Sequence, residues 1–323
     1  MKTIIIFSTM EDFSTTKVMQ WLQYINPKIK VIRLCPKHFL DGKFSFNIND
    51  NHIQIAYNQC VIDINFCEIA VVWCRKWNNE IDLSTSDKNL INLVPQIKEN
   101  LTAEFRAFFE YFLFLLERNK QIKWLNKHKF NTPNKLIQLN IAKQVDLQIT
   151  DSFILNYIDG KIKISDFITK PITSCDVINY KKNYYLNYTQ KVNFQEYNNE
   201  LFLCYLQNKI DKTLELRIFY LDGKCYTLAI HSQNNSKTKI DYRNYDYKKP
   251  NRYEPFQIPN ALQQKIKHFM QKMNLQTGSL DFIYTPDNQF VFLEVNPCGQ
   301  YDIFNSCNIF PDKLIAEYLI NNT

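Results

Sequence analysis

The chain has 323 residues, 45% of them hydrophobic, and a formal net charge of +7 at pH 7. This length and hydrophobic content predict a globular protein of two or three packed subdomains. The basic balance suits an acidic partner, but the sequence contains no block of Lys and Arg. A clustered basic stripe is the usual footprint of nucleic-acid binding, so we expect no nucleic-acid partner.

The cysteines and the apolar segments indicate a reducing compartment. The nine cysteines are scattered and form no CxxC pair, which disfavours a disulfide framework or a zinc site, and we interpret them as reduced thiols. The amino-terminal run "TIIIF" is too short for a signal sequence, and no stretch approaches the ~20 apolar residues of a membrane-spanning helix. We therefore expect a cytoplasmic protein with no membrane partner.

The first part of the chain predicts a β-α-β unit. A buried strand over residues 3–7 precedes a helical pattern that includes Val18, Leu22 and Ile25, and the strand "IKVIRL" follows. Further strands near residues 54–58 and in "EIAVVWCRKW" predict a small α/β domain. Neither GxGxxG nor GxxxxGK[ST] occurs in this part, which disfavours the nucleotide-binding folds with those signatures.

The middle of the chain predicts helices followed by antiparallel strands. Residues 99–119 repeat apolar positions at three and four, which indicates a helix with an aromatic core face. "NTPNKLIQLNIAKQVDL" predicts another helix, whereas "SFILNY", "ISDFITKPI" and "LELRIFYLDGKCYTLAIHS" predict strands, the last with a hairpin turn at Asp222-Gly223. The chain is therefore predicted to be an α+β multidomain protein with boundaries near residues 125 and 200.

Two short strands near the C-terminus carry polar residues where a sheet would prefer apolar ones. Their turn, residues 286–288, would bring Asp281 within reach of Glu294 and Asn296. In "FLEVNP", Glu294 and Asn296 would share one face while Leu293 and Val295 point into the core. Carboxylate and amide oxygens suit Mg²⁺, so the pattern predicts a magnesium site; the alternative is a surface hairpin with incidental acidic groups.

Two lysines are candidates for contacts to phosphate. Lys170 ends a predicted strand just before Pro171, and Lys135 opens a predicted helix. A cation at a helix start opposes the helix dipole, and a bound anion would reconcile this conflict. The alternative is that both are ordinary solvated lysines.

In this order, the motifs are similar to those of the ATP-grasp ligases. The chain resembles, among them, the peptide maturases that make graspetides, the microviridin-type and grasp-with-spasm macrocyclases. The resemblance covers nearly the whole length. Its segments are "FSTMEDFSTTKVMQWL", "VVWCRKW", "NKLIQLNIAKQVDLQITDSFI", "ELRIFYLDGKCYTLAIHSQ", "DYRNYD" and "GSLDFIYTPDNQFVFLEVNPCGQYD".

The resemblance implies an ATP-grasp fold in three parts. These are an N-terminal α/β (pre-ATP-grasp) domain over residues 1–125, a central α+β subdomain over 126–200, and a C-terminal antiparallel-sheet α+β subdomain over 201–323. It also implies ATP and Mg²⁺ as cofactors, and a homodimer is expected.

The resemblance also implies a set of site residues. The implied magnesium ligands are Asp281, Glu294 and Asn296. The implied phosphate-binding lysines are Lys135 and Lys170. Glu215 would hold the ribose, and backbone groups around Tyr205 and Leu206 would form the adenine hinge. Arg217 and Arg243 would lie near the transferred phosphoryl and the acidic substrate group, where arginine pairs with two oxygens at once. Two features depart from the family pattern: Cys204 replaces a hinge Glu, and the loop "SCDVINYKKNYYLNYTQ" lacks glycine, although its Lys181 and Lys182 could supply charge.

The implied activity is that of an ATP-dependent ligase acting on a ribosomally made precursor peptide with a leader and a core. A precursor Asp or Glu side chain would be phosphorylated, and a Ser or Thr hydroxyl or a Lys amine would then close an ester or amide ring. Two alternatives stay open. The protein could be an intermolecular ATP-grasp carboxylate-amine ligase that adds an amino acid to a protein or small carboxylate, or a non-catalytic partner that binds ATP and leader peptide.

Overall fold

The computed structural model describes most of the chain as helices and strands. It covers residues 2–77, 95–131, 134–157, 167–173, 178–180, 183–185, 189–191, 200–235, 237–244 and 246–323. The first strands are β1 Thr3–Phe7, β2 Lys30–Leu34, β3 Lys43–Asn47, β4 His52–Tyr57, β5 Cys60–Asn65, β6 Ile69–Cys74 and β7 Lys123–Leu125. The later strands are β8 Ser152–Tyr157, β9 Phe167–Thr169, β10 Ile178–Tyr180, β11 Asn183–Tyr185, β12 Gln190–Lys191, β13 Glu200–Asn208, β14 Leu214–Leu221, β15 Lys224–His231, β16 Arg252–Pro255, β17 Thr277–Tyr284 and β18 Phe290–Asn296. The α-helices are α1 Phe13–Ile25, α2 Pro36–Leu40, α3 Pro95–Arg118, α4 Lys135–Gln144, α5 Asn260–Lys272 and α6 Pro311–Asn321.

Contacts divide the chain into two compact units. The first comprises Met1–Asn131 together with Phe310–Thr323, and the second is Thr132–Ile309. The C-terminal helix α6 therefore belongs to the first unit, where it packs against α1, although the sequence analysis placed it in the last subdomain. The boundaries predicted near residues 125 and 200 remain predictions.

The first unit is built on the predicted parallel sheet. Its strand order is β2-β1-β6-β7, and each neighbouring pair is parallel. All five residues of β1 are buried, as expected for a strand covered on both faces. The aromatic face of α3 contributes Phe109 and Phe112 to the same core, with the Phe112 ring centroid 5.9 Å from that of Phe7. The predicted core role of this aromatic stripe is confirmed.

The second unit contains the two-stranded antiparallel sheet β10-β11 and two larger antiparallel sheets that together supply the walls of a pocket. One has the order β12-β9-β13-β8 and the other β16-β15-β14-β17-β18. Helix α5 buries Phe269 against Phe292 of the second sheet, with ring centroids 4.9 Å apart. The predicted α+β character is confirmed. Among the described helices, none has the length and apolarity that crossing a membrane requires.

The predicted turn between β14 and β15 is present. Asp222 has φ 45° and Gly223 has φ 89°. Both central residues of the turn therefore have the positive φ that a two-residue β-hairpin requires when its turn matches the twist of the strands. Only glycine adopts this conformation without a steric cost at its Cβ.

We therefore expect Gly223→Ala to lower the free energy of unfolding by about 1 kcal/mol, because an L side chain at this φ is strained. Urea denaturation followed by circular dichroism measures the change. Lys224→Ala, at the adjacent exposed position, is the matched control and should leave stability nearly unchanged. An equal loss in both variants would contradict the strain argument.

Candidate active site

A pocket lies in the second unit between its two larger sheets. Basic side chains outnumber acidic ones on its walls. The basic residues are Lys170, Lys209, Lys212, Lys239 and Arg243; the acidic ones are Glu215, Asp241, Asp281 and Glu294; and the apolar ones include Ile168, Ile210, Ile283 and Leu293. The excess of basic side chains on the pocket walls favours an anionic ligand.

Charged residues of three adjacent strands form one row across the pocket floor. Arg217 of β14 pairs in register with Asp281 of β17, and Asp281 pairs with Glu294 of β18. Arg217 Nη1 donates to both carboxylate oxygens of Asp281, at 2.6 and 2.7 Å. The next row along the sheet, ~7 Å away, pairs Glu215 with Ile283. The floor thus changes from charged to partly apolar along the strand direction.

A β-bulge at Leu293 corrects one prediction. The pairing passes from Asp281 with Glu294 to Phe282 with Phe292, which leaves Leu293 as an extra residue. Leu293 therefore lines the pocket beside Glu294 instead of pointing into the core. The prediction for Leu293 was wrong because strict alternation assumes a ladder without a bulge, whereas the prediction that Val295 is buried is confirmed.

Three cationic side chains surround Glu294. Lys135 Nζ lies 3.3 Å from Glu294 Oε2, and Arg243 Nη1 lies 3.9 Å from Oε1. Burial alone would raise the pKa of Glu294, but the charges of Lys170 and Lys135 outweigh it and hold this pKa below its usual range. In contrast, burial raises the pKa of Asp281 despite the opposing charge of Arg217. Glu294 is therefore the carboxylate that stays ionised most readily.

The predicted magnesium ligands occupy neighbouring positions on β17 and β18. Asp281 and Glu294 face each other, and buried Glu294 Oε2 accepts no well-formed hydrogen bond from the described residues. Asn296 pairs with Ser279, two residues from Asp281, and its side-chain oxygen accepts a bond from Cys298 N at 3.0 Å. Two opposed carboxylates fit a divalent cation. Asn296 lies on the same strand as Glu294, but it is exposed and is not among the described residues that line the pocket.

Of the two predicted phosphate lysines, Lys170 lines the pocket, and Lys135 lies against Glu294, which lines it. Helix α4 begins at Lys135, and Lys135 Nζ donates to the carbonyl oxygens of Pro171 and Thr173, at 2.9 and 3.2 Å. Burial lowers the pKa of Lys170, with Glu294 opposing the shift, and its ammonium lies 6.0 Å from the Tyr205 ring centroid. A bound phosphate would restore the charge that burial disfavours on Lys170. Lys181 and Lys182 lie outside the described residues.

The residues of the predicted adenine hinge lie on β13, just before the part of the chain that lines the pocket. Tyr205 and Leu206 are not among the described residues that line the pocket, and Leu206 pairs with strands on both sides, β8 and β9. Residues 207–210 line it instead, because β13 continues to Asn208 before the chain leaves the sheet. The sequence signal that marks this point is the polar run after the strand, "NKIDK". Cys204, the predicted departure, is also absent from the described pocket lining.

Sequence reasoning missed the side chains that hold Glu215 and Arg243. Lys212 Nζ and Ser232 Oγ both donate to Glu215 Oε1 at 2.8 Å. Asp241 accepts bonds from Arg243 Nε at 2.9 Å and from its Nη2 at 2.7 Å. Burial raises the pKa of Glu215, and Lys212 and Ser232 oppose this shift. Lys212 and Asp241 lie only three and two residues from the side chains they hold, so their charges were a local signal in the sequence, whereas Ser232 is brought to Glu215 by the pairing of β14 with β15.

The comparisons with known proteins assign the fold. No protein-family model and no curated protein matches the chain. Three solved structures match almost end to end. The first is the macrocyclase MdnC from Microcystis aeruginosa MRC bound with precursor peptide MdnA, with 21% identity, 99% of both chains covered and a TM-score of 0.79. The second is the RiPP-associated ATP-grasp ligase of Chryseobacterium gregarium in complex with ADP and a leader and core peptide, with 20% identity, 100% of this chain and 98% of that chain covered and a TM-score of 0.80. The third is the ATP-grasp ligase PsnB complexed with minimal precursor, Mg and ADP, with 14% identity, 99% of this chain and 96% of that chain covered and a TM-score of 0.74. The protein has the ATP-grasp fold, as the resemblance implied.

Helix α4 is bonded to the backbone of the strand that carries Glu294 through the side chain of Gln138. The buried amide of Gln138 donates to Val295 O at 3.1 Å and accepts from Val295 N at 2.7 Å. It therefore takes the place of a neighbouring strand at the edge of β18.

We expect Gln138→Met to lower the free energy of unfolding by about 2 kcal/mol, because it leaves two buried backbone groups without partners. Urea denaturation measures the loss. Gln144→Met, at an exposed position of the same helix, is the matched control. Equal stability of the two variants would show that the edge of β18 does not need this amide.

Proposed function

We propose that this protein is an ATP-dependent ligase that matures a ribosomally made precursor peptide by macrocyclisation. The observation that carries the proposal is the opposed pair of carboxylates Asp281 and Glu294, which line a pocket together with Lys170 and Arg243, with Arg217 bonded to Asp281. The fold supports it, since the chain covers 99% of a macrocyclase bound with its precursor peptide.

The rows of the pocket floor suggest how ATP would lie. Asp281, Glu294 and Asn296 would hold Mg²⁺, which when bound neutralises charge on the phosphate oxygens. Lys135 and Lys170 would contact the phosphates beside that row. Glu215, one row further along β14, would accept a ribose hydroxyl, and the base would lie among the apolar side chains beyond it. This order of charged, polar and apolar groups matches triphosphate, ribose and base.

The reaction needs no covalent enzyme nucleophile. A side-chain carboxylate of the precursor attacks the γ-phosphorus of ATP, and the β–γ bridging oxygen leaves with ADP. A Ser or Thr hydroxyl or a Lys amine then attacks the acyl carbon and releases phosphate, forming an ester or amide ring. Arg217 and Arg243 would stabilise the charge that develops on the phosphoryl and acyl oxygens. Because Asp241 fixes the Arg243 guanidinium, little reorganisation would be needed during the reaction.

The partner in this proposal is a peptide with a leader and an acidic core, which suits the net positive charge of the chain. A homodimer and a cytoplasmic location belong to the same proposal and rest on the family resemblance and on the sequence composition.

Asp281→Asn and Glu294→Gln should each reduce ATP turnover by at least about 100-fold, since each removes a charge that would hold the magnesium ion. Binding of a precursor peptide should persist in Glu294→Gln, which keeps the Arg217–Asp281 pair. Asp281→Asn leaves the buried Arg217 guanidinium without its carboxylate, so circular dichroism must show this variant to be folded before its turnover is compared. Release of ADP measures turnover, and fluorescence anisotropy of a labelled peptide measures binding. Asp287→Asn, in the turn of the same hairpin, is the matched control. Turnover at the control level in both site variants would exclude the magnesium assignment.

We expect the purified protein, incubated with ATP, Mg²⁺ and the small peptide encoded beside its gene, to lower the mass of that peptide by one water for each ring formed. Mass spectrometry detects the loss, and fragmentation locates the rings. The Glu294→Gln variant should give no loss. A mass gain would instead identify an intermolecular ligase, and an unchanged mass with tight binding would identify a non-catalytic partner.

A further inference from the structure

The ammonium of Lys135 is fully engaged within the protein. Lys135 Nζ donates to Pro171 O at 2.9 Å and to Thr173 O at 3.2 Å, and it lies 3.3 Å from Glu294 Oε2. An ammonium has three protons, so there is one nearby acceptor for each of them. Only 18% of the Lys135 side chain is exposed. A phosphate would therefore contact Lys135 only in exchange for one of these three partners.

Glu294 is the partner that a phosphate would replace. The contacts of Lys135 with the two carbonyl oxygens have hydrogen-bond geometry, whereas its contact with Glu294 Oε2 is an ion pair without that geometry. Arg243 Nη1 lies 3.9 Å from Glu294 Oε1, so Glu294 keeps a cationic neighbour when Lys135 leaves. A phosphate would thus take the place of Glu294 while Lys135 keeps both carbonyl bonds.

The same ammonium opposes the binding of a cation at Glu294. Glu294 lines the pocket opposite Asp281, and its Oε2 is buried beside Lys135 Nζ. A divalent cation bound to this carboxylate would lie within a few ångströms of the ammonium, and like charges that close repel each other strongly. Lys135 and a metal ion therefore compete for Glu294, and the competition ends when a phosphate draws Lys135 away.

We propose that Lys135 occupies Glu294 in the nucleotide-free protein and keeps divalent cations away from it, and that nucleotide phosphates free Glu294 by binding Lys135. The inference rests on the proposed use of ATP and adds an order to it, in which phosphate contact with Lys135 opens the cation site. Lys135 then has two successive partners, a carboxylate before the nucleotide binds and a phosphate afterwards. The affinities for metal and for nucleotide are coupled through this one side chain.

The experiment measures the binding of each ligand without the other. Mn²⁺ suits the same oxygen ligands as Mg²⁺, and electron paramagnetic resonance follows its titration in the absence of nucleotide. Isothermal titration in the presence of EDTA follows the binding of ATP without metal. The proteins compared first are the wild type, Lys135→Met and Lys143→Met. Lys143 is an exposed residue of the same helix, so Lys143→Met is the matched control.

Lys135→Met should bind Mn²⁺ about tenfold more tightly than the wild type, which is within the usual range of coupling between two ligands. It should bind metal-free ATP about tenfold more weakly, because one charge-assisted hydrogen bond is lost. Lys143→Met should match the wild type in both titrations. A damaged fold would weaken both affinities, so changes in opposite directions exclude it. Lys135→Gln can still donate to both carbonyl oxygens, and it should show the same two changes.

Lys170→Met separates the Lys135 contact from the general effect of positive charge. Among the described residues no ion pair joins Lys170 to Glu294, although the Lys170 charge does more than any other to lower the pKa of Glu294. If Lys135 acts by contact, Lys135→Met gains more Mn²⁺ affinity than Lys170→Met does. The gain should also disappear when Glu294→Gln is added to Lys135→Met.

No gain of Mn²⁺ affinity in Lys135→Met and Lys135→Gln would overturn the inference while leaving ATP use intact. An equal or larger gain in Lys170→Met would overturn it as well, because general repulsion would then keep the cation out. If the wild type binds no ATP even with Mg²⁺ present, the proposed function itself fails, and the inference fails with it.

Discussion

The ion pair between Arg217 and Asp281 is the constraint on which the pocket floor depends. Asp281 and Glu294 are directly opposed on adjacent strands, and two buried carboxylates at this distance repel each other. Arg217 contacts both oxygens of Asp281 and also donates from Nη2 to Gln300 O at 3.1 Å. It therefore offsets one of the two charges and links the floor to the segment that follows β18.

The position of Arg217 in turn requires a small residue in that segment. A Cβ on Gly299 would lie 2.8 Å from Arg217 Nη2 and 2.8 Å from Ser279 Cβ, closer than atoms can approach without displacement. Packing against Arg217 and Ser279 therefore requires a glycine at position 299, independently of turn formation. A buried guanidinium without its carboxylate would be strongly destabilising, so Arg217, Asp281 and Gly299 form one unit.

The remaining charges divide into two groups with different surroundings. Lys135, Lys170 and Arg243 act on Glu294 and hold its pKa low, whereas Lys212 and Ser232 oppose the effect of burial on Glu215. The first group lies where a triphosphate would lie, and the second where a sugar would lie. The buried amide of Gln207 belongs to neither group, since it donates a hydrogen bond to Ser152, and Ser152 donates one to the backbone oxygen of Thr150.

The sequence by itself determined where the last two strands lie and which polar residues they carry. Alternation located β17 and β18 and put Asp281, Glu294 and Asn296 on them, Asp222-Gly223 fixed a hairpin, and the motif order indicated the ATP-grasp fold. Tertiary structure decided what local periodicity cannot encode. The bulge at Leu293 and the pairing of β13 with strands on both sides depend on other strands. The bond that Ser232 donates to Glu215 was equally inaccessible, because hydrogen bonds between separate segments exist only once the sheet is formed.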